Sequence, residues 1–220
     1  MAYGDTVAAV KKFIVFEGID GSGTTTQLER ISSLMRKAGM SVASTFEPTD
    51  RPEGRLIRQI LKGEVKADPG TVAYLFAADR CEHVNGSGGI REKAEAGTWV
   101  LCDRYILSSL AYQGTTCGLE LPALLNSPFP PPGLSIYFRV DPEMSMERVA
   151  RRQSLDIYEK LHMQKLFSRA YDTIVEEKRA QGWRIATVDA GLDMDEVSRL
   201  VAGIVGDYCG IPLHFTQISG

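Results

Sequence analysis

The stretch Phe13-Ile14-Val15-Phe16-Glu17-Gly18-Ile19-Asp20-Gly21-Ser22-Gly23-Thr24-Thr25-Thr26-Gln27 decides the fold. A short apolar run enters a glycine-rich turn, and the turn enters a helix, which is the order strand, loop, helix. Leu28, Ile31, Leu34, Met35 and Ala38 share one helical face, while Arg36, Lys37 and Gly39 supply a cationic last turn and a glycine stop. A helix over 25–38 is predicted. Gly18 and Gly23 have the GxxxxG spacing of a phosphate-binding loop. In such a loop glycines let successive backbone N–H groups turn inward on one anion, and the helix start adds unsatisfied donors. The full pattern, GxxxxGK[ST], places a lysine after the second glycine; here that position is Thr24, a neutral hydroxyl. Thr25 keeps the hydroxyl position that ligates Mg²⁺. A glycine turn that holds no nucleotide is the competing reading of this stretch taken alone.

The alternation continues outward along the chain. Short apolar runs over 13–16, 41–46, 98–102, 134–140 and 183–188 read as strands, several of them without polar alternation, as strands buried on both faces should be. With amphipathic helical segments between them, the class is α/β, with a parallel sheet of about five strands flanked by helices. Asp141-Pro142-Glu143 reads as N-cap, first-turn proline and first-turn acid, opening a helix to about 151. Further helices are expected over about 156–180 and along the face Met194, Val197, Val201, Ile204 and Tyr208. Asn85 to Gly89 and Asn126 to Gly133 read as irregular connections, the latter because its prolines exclude a helix. The final IPLHFTQISG is assigned no role.

Composition narrows the function classes. The 220 residues carry 25 Lys+Arg against 28 Asp+Glu, a net charge of −3, and are 44% apolar, which is ordinary for a globular chain and fits one domain over 1–220. Such a balance argues against a nucleic-acid partner, since those domains carry clustered excess cations. No apolar run approaches the roughly 20 residues that span a bilayer, and the start does not read as a secretory signal, so no membrane association and a cytoplasmic location are expected. Cys81, Cys102, Cys117 and Cys209 form no CxxC pair, and His83, His162 and His214 no zinc pattern; four reduced, mostly packed thiols are expected.

The segment FEGIDGSGTTTQ at 16–27, with LCDRYILSSLAYQG at 101–114, resembles the thymidylate kinases, P-loop nucleoside monophosphate kinases that phosphorylate dTMP with ATP. The likeness extends through Glu47-Pro48-Thr49, Gly54 and Arg58, then Leu75 to His83, then Val140 to Glu143 and Val188 to Ala190, covering roughly 13–208. The resemblance implies that Gly18, Asp20, Gly21, Ser22, Gly23, Thr24, Thr25 and Thr26 bind the ATP phosphates, with Mg²⁺ held at Thr25 and Asp103. It also implies that Phe76 stacks on thymine and Arg80 donates to its O4, while Ser109 and Gln113 line the base pocket. A cytosine would set an amino group against the guanidinium. By the same resemblance Tyr112 would crowd the sugar's 2′ position, and Asp20 would accept from its 3′-hydroxyl.

The resemblance also makes Asp103, Arg104 and Arg152 catalytic. Asp103 and Arg104 follow a strand, at the sheet edge where open α/β folds bind ligands, and Arg104 would hold the acceptor phosphate. Arg148, Arg151 and Arg152 resemble lid arginines, in a lid over about 148–158, of those relatives whose loop carries glycine at the position of Gly21. They would close over ATP and supply the charge that Thr24 does not. Two further departures are Phe46, where many relatives have an arginine, and Arg139, where an acid is common; the phosphate contact is then expected at Arg51, Arg55 or Arg58, with Arg58 favoured because the resemblance extends to it. The family partners are ATP and dTMP, with a homodimer as the assembly. A nucleotide-binding protein with little kinase activity is the alternative that the absent lysine raises, and a kinase for another deoxynucleoside monophosphate is a third reading.

Overall fold

The computed structural model describes residues 7–150, 157–213 and 215. Strand β1 (Val10–Glu17) lies at the centre of a five-stranded sheet, between β3 (Trp99–Asp103) and β4 (Pro132–Arg139). Beyond these lie β2 (Val42–Phe46) on one side and β5 (Ile185–Asp189) on the other. Every pairing is parallel, so each connection is a crossover. The connecting elements are α1 (Thr24–Lys37), α2 (Pro52–Leu61), α3 (Pro69–Asn85), α4 (Ile90–Glu95), α5 (Ile106–Cys117), α6 (Glu120–Asn126), α7 (Pro142–Ala150), α8 (Ile157–Ala180) and α9 (Met194–Cys209).

The apolar run Phe13 to Phe16 is fully buried, which explains its lack of polar alternation. Leu28, Ile31 and Met35 of α1 are buried with it, each worth roughly 1.5–3 kcal/mol in surface removed from water. Ala38, expected on the same face, is exposed because it caps the helix. Asp141 caps α7 as its sequence requires, accepting from Glu143 N–H at 2.7 Å.

Two expectations need correction. The irregular stretch ends before Pro132, which opens β4; a proline at a strand's first position forfeits no ladder hydrogen bond. The thiols are all free, but only Cys102 is buried, Cys81 being exposed and the other two intermediate. Of the final stretch, Leu213 is buried, and the Phe215 ring lies 5.4 Å from the Arg30 guanidinium. Register fixes the site. Phe16 stands level with Asp103, and Phe46 also stands level with Asp103, so the carboxyl ends of β1, β2 and β3 form one line.

Candidate active site

The phosphate loop leaves β1 at Gly18 and enters α1 at Thr24. Gly23 is the N-cap, with φ +89° and no side-chain cap, so the first N–H groups of α1 remain for an anion. Gly21 has φ +80°, and a Cβ there would lie 2.4 Å from Ser145 O of α7. Only glycine satisfies both the backbone angle and that approach. Thr24 is buried at the lysine position, and the Ser22 hydroxyl is buried without a partner among the described residues.

Asp103 closes β3 beside the loop. Its Oδ2 accepts from the Thr25 hydroxyl, and its Oδ1 is buried without a partner among the described residues. A hydroxyl beside a carboxylate with one oxygen to spare is a hard, all-oxygen donor pair. It fits Mg²⁺, which takes one or two protein ligands and completes its octahedron with water and phosphate oxygens. No cluster of three or more acidic, His or Cys side chains is found among the described residues.

Arg104 has φ +70°, the one non-glycine in the left-handed region among the described residues. The loop holds it there: its N–H donates to Phe16 O at 2.9 Å, Nη1 to Gly18 O at 2.9 Å and Nη2 to Asp20 Oδ1 at 2.6 Å. The guanidinium also lies over the Tyr112 ring at 5.2 Å, and Tyr112 stacks on Phe167 at 4.2 Å. Burial pushes the Tyr112 phenol up, so it stays neutral. Its oxygen accepts from Asp20 N–H at 3.2 Å.

Two clefts meet at this point. A cavity of about 1000 Å³ is lined by residues 20–27 with Arg104, Arg148, Gln164 and Phe167. One of about 420 Å³ is lined by Phe46, Glu47, Asp103 and neighbours. Thr25 and Arg104 are the residues common to both walls. Arg148 donates to Ala190 O at 2.9 Å and to Gly21 O at 3.5 Å, across the rim of the larger cleft. Arg151 and Arg152 lie outside the described residues.

The nucleoside-binding candidates Phe76, Arg80, Ser109 and Gln113 line neither cleft. Arg80 is 1% exposed; Nε and Nη2 donate to Glu47 Oε2, the latter at 2.5 Å, and Nη1 donates to Asn126. Asn126 in turn donates to Ser109 Oγ at 3.3 Å and to Pro122 O at 2.8 Å. Gln113 is buried, and its Oε1 has no partner among the described residues. Phe76 is half-buried on α3, one turn from Arg80. Arg58 folds back on its own loop, donating to Pro48 O and to Asp50, both at 2.7 Å. It lines neither cleft.

Sequence reasoning missed Glu17, Asn126, Gln164 and Tyr171. Gln164 Nε2 donates to Asp20 Oδ2 at 3.2 Å, and its Oε1 is buried without a partner among the described residues. Glu17 had a signal, an acid inside an apolar strand. Asn126 was hidden at the end of a helix that the prolines after it obscured.

A central strand running into a glycine loop, with an acid and an arginine at the end of the neighbouring strand, defines a P-loop α/β fold of the nucleoside monophosphate kinase type. The thymidylate kinase family profile matches residues 16–201. Thymidylate kinase of Desulfotalea psychrophila is 36% identical over 167 residues, 74% of this chain and 81% of that protein. Thymidylate kinase of Deinococcus radiodurans is 34% identical over 201 residues, 89% and 96% of the two chains. That of Bacillus licheniformis is 35% identical over 204 residues, 88% and 94% of the two chains. The chain belongs to the thymidylate kinase family.

Proposed function

We propose that this protein transfers the γ-phosphoryl group of ATP to the 5′-monophosphate of dTMP, giving dTDP and ADP. The observation that carries the reading is the shared wall of the two clefts, Thr25 and Arg104, where the phosphate loop meets the carboxyl end of β3. In-line phosphoryl transfer needs that arrangement, since its catalysis is mainly positioning and charge neutralisation. The glycine loop and the N–H groups of α1 cradle the donor phosphates, and Arg104 spans the transferred group and the acceptor phosphate. Thr25 and Asp103 would hold Mg²⁺, which would neutralise charge on the phosphate oxygens.

Thymine selection follows from hydrogen-bond polarity. Arg80 keeps N–H groups beyond its three bonds to Glu47 and Asn126, and Ser109 Oγ already accepts from Asn126, which leaves its own proton to donate. Gln113 Oε1 is an acceptor in search of a donor. Donor, acceptor and donor together complement the O4, N3–H and O2 edge of thymine, and cytosine inverts the first two of these.

The absent lysine does not displace this reading, because both sides of the reaction retain their parts. The proposal takes the chain as one domain; the lid read over about 148–158 falls partly outside the described residues. A homodimer in the cytoplasm completes the proposal. Leu56 and Leu61 of α2, Tyr74 of α3 and Leu124 of α6 are exposed on helices that pack together, which supports a self-association face. No helix among the described residues is long and apolar enough to cross a membrane. The test is ADP release coupled to NADH oxidation with dTMP, dUMP, dCMP and dGMP as acceptors. Preference for dTMP over dCMP by at least roughly 100-fold is expected; equal rates refute the pocket.

A further inference from the structure

One buried acid beside the phosphate loop has no role in the transfer reaction proposed above. Glu17 is 1% exposed and ends the strand that leads into the phosphate loop. Helix α5 has no side-chain cap of its own, its N-cap being Tyr105. Glu17 supplies that acceptor from another element: Ser108, in the first turn of α5, donates its backbone N–H to Oε2 at 3.1 Å and its hydroxyl at 2.6 Å. The Tyr171 hydroxyl of α8 lies 3.2 Å from the same oxygen and 2.6 Å from Ser108 Oγ. The second carboxyl oxygen, Oε1, has no partner among the described residues. A single carboxyl thereby joins the strand of the phosphate loop, the helix of Ser109, Tyr112 and Gln113, and the helix of Gln164 and Phe167.

We infer that Glu17 is a positioning residue of the transfer reaction, acting through Ser108 and Tyr171 to set the nucleoside-binding face of α5 against the phosphate loop. The inference rests on the assignment of α5 to the nucleoside pocket. A carboxylate suits a helix start because the first-turn N–H groups are unsatisfied and the dipole's positive end lies there. Donors converging on one oxygen fix direction as well as distance. Phosphoryl transfer demands both, and a misplacement of about 1 Å costs on the order of 100-fold in rate.

Charge modulates that hold. Facing Glu17 are Arg104 from the turn before α5, Arg80 from α3, Tyr171 from α8 and Cys102 from β3. Burial pushes the carboxyl up to about 7, against the opposing pull of the Ser108 hydrogen bond and the two arginines. Above that pH Oε2 belongs to a carboxylate and binds its donors more tightly than the neutral acid does below it.

Glu17→Gln keeps the shape and one acceptor oxygen but abolishes the titration. It is expected to raise KM for dTMP roughly 10-fold or more while leaving KM for ATP within about twofold. The ratio of wild-type to Glu17→Gln kcat/KM for dTMP should climb from about pH 6 to about pH 8 and then level. Ionisation of the substrate phosphate near pH 6 is common to both proteins and cancels in that ratio. Ser108→Ala and Tyr171→Phe should move KM for dTMP the same way by smaller factors. Melting curves establish that each variant is folded; if Glu17→Gln is not, the other two decide by whether their effect is confined to dTMP. Gln113→Ala serves as the control on the pocket. If it raises KM for dTMP while folded Glu17→Gln alters neither KM nor the pH ratio, the positioning role is overturned and the pocket stands. If neither variant changes acceptor kinetics, both assignments fall. Equal losses toward ATP and dTMP with a flat pH ratio also overturn the inference, since a merely structural acid gives that pattern.

Discussion

Thr24→Lys restores the residue that the loop pattern calls for, and the structure bounds what it should do. Thr24 is buried in the wall of the larger cleft, so a lysine there has that cleft rather than the sheet core beside it. One charge-assisted contact is worth roughly 1.5–3 kcal/mol, or roughly 10- to 150-fold in kcat/KM for ATP. A described cation that lines the same cleft and can supply it is Arg148, held between Ala190 O and Gly21 O. If the lid replaces the lysine, Arg148→Ala in the natural background loses most of that factor, and Thr24→Lys alone gains less than about threefold. In the Thr24→Lys background the arginine loss then shrinks, a coupling of at least about 1 kcal/mol in a double-mutant cycle. The assay is steady-state ADP release at saturating dTMP, with thermal melting to exclude unfolding, repeated with Arg151→Ala and Arg152→Ala. Strict additivity at all three positions, with an active wild type, refutes compensation by the lid. Recovery of more than about tenfold by Thr24→Lys alone indicates a loop that lacks its charge and has no substitute.

Asp103→Asn should lower kcat by roughly 100-fold or more and raise the Mg²⁺ concentration for half-maximal rate, while the dTMP dissociation constant from calorimetry stays within about threefold. Asn126→Ala removes the partner of Arg80 Nη1 and of Ser109 Oγ, so KM for dTMP should rise about tenfold with KM for ATP unmoved; an unchanged value detaches that cluster from the acceptor. Glu17 also leaves a mark on stability: with a folded pKa of about 7 against an ordinary 4.5, ionising it inside the fold costs about 3 kcal/mol, absent below pH 4.5 and complete above pH 7. Urea denaturation of Glu17→Gln should therefore gain on the wild type by about that amount between pH 4.5 and pH 8, and a constant difference contradicts a buried, titrating acid.

The strands were legible because burial on both faces writes a continuous apolar run, as in Phe13 to Phe16. Helix α1 was legible from its face and its stop, and α7 from Asp141 and Pro142. Residues that act through the chain's own neighbours were also readable, such as Gly21 and Gly23, whose positive φ is a local demand. Contacts made across elements were not. The resemblance implies a base donor at Arg80, yet its pairing with Glu47 depends on where β2 ends relative to α3. Arg58 reads as a phosphate ligand, and its Asp50 partner is visible only once the loop before α2 is folded. Nor does the sequence announce that Arg104 takes a left-handed backbone, since the bonds that enforce it come from Phe16 and Gly18.

Those cross-element contacts share a thermodynamic direction. Arg104 at φ +70° costs on the order of 1–3 kcal/mol, and it persists because three acceptors on β1 and the phosphate loop over-determine it. Of the six buried side-chain atoms without a partner among the described residues, five belong to Glu17, Ser22, Asp103, Gln113 and Gln164; only Ser135 Oγ lies in the body of the sheet. Buried polar atoms are ordinarily paired, so such a concentration at one end of the sheet is not what folding alone would select. A chain that satisfied these atoms internally would be more stable and would have no donors or acceptors left for a phosphate, a metal ion or a base edge. Apart from that of Glu17, the strain and the unmet hydrogen bonds outside the sheet thus sit where ligands can relieve them, and the surrounding apolar core supplies the stability that makes this tolerable.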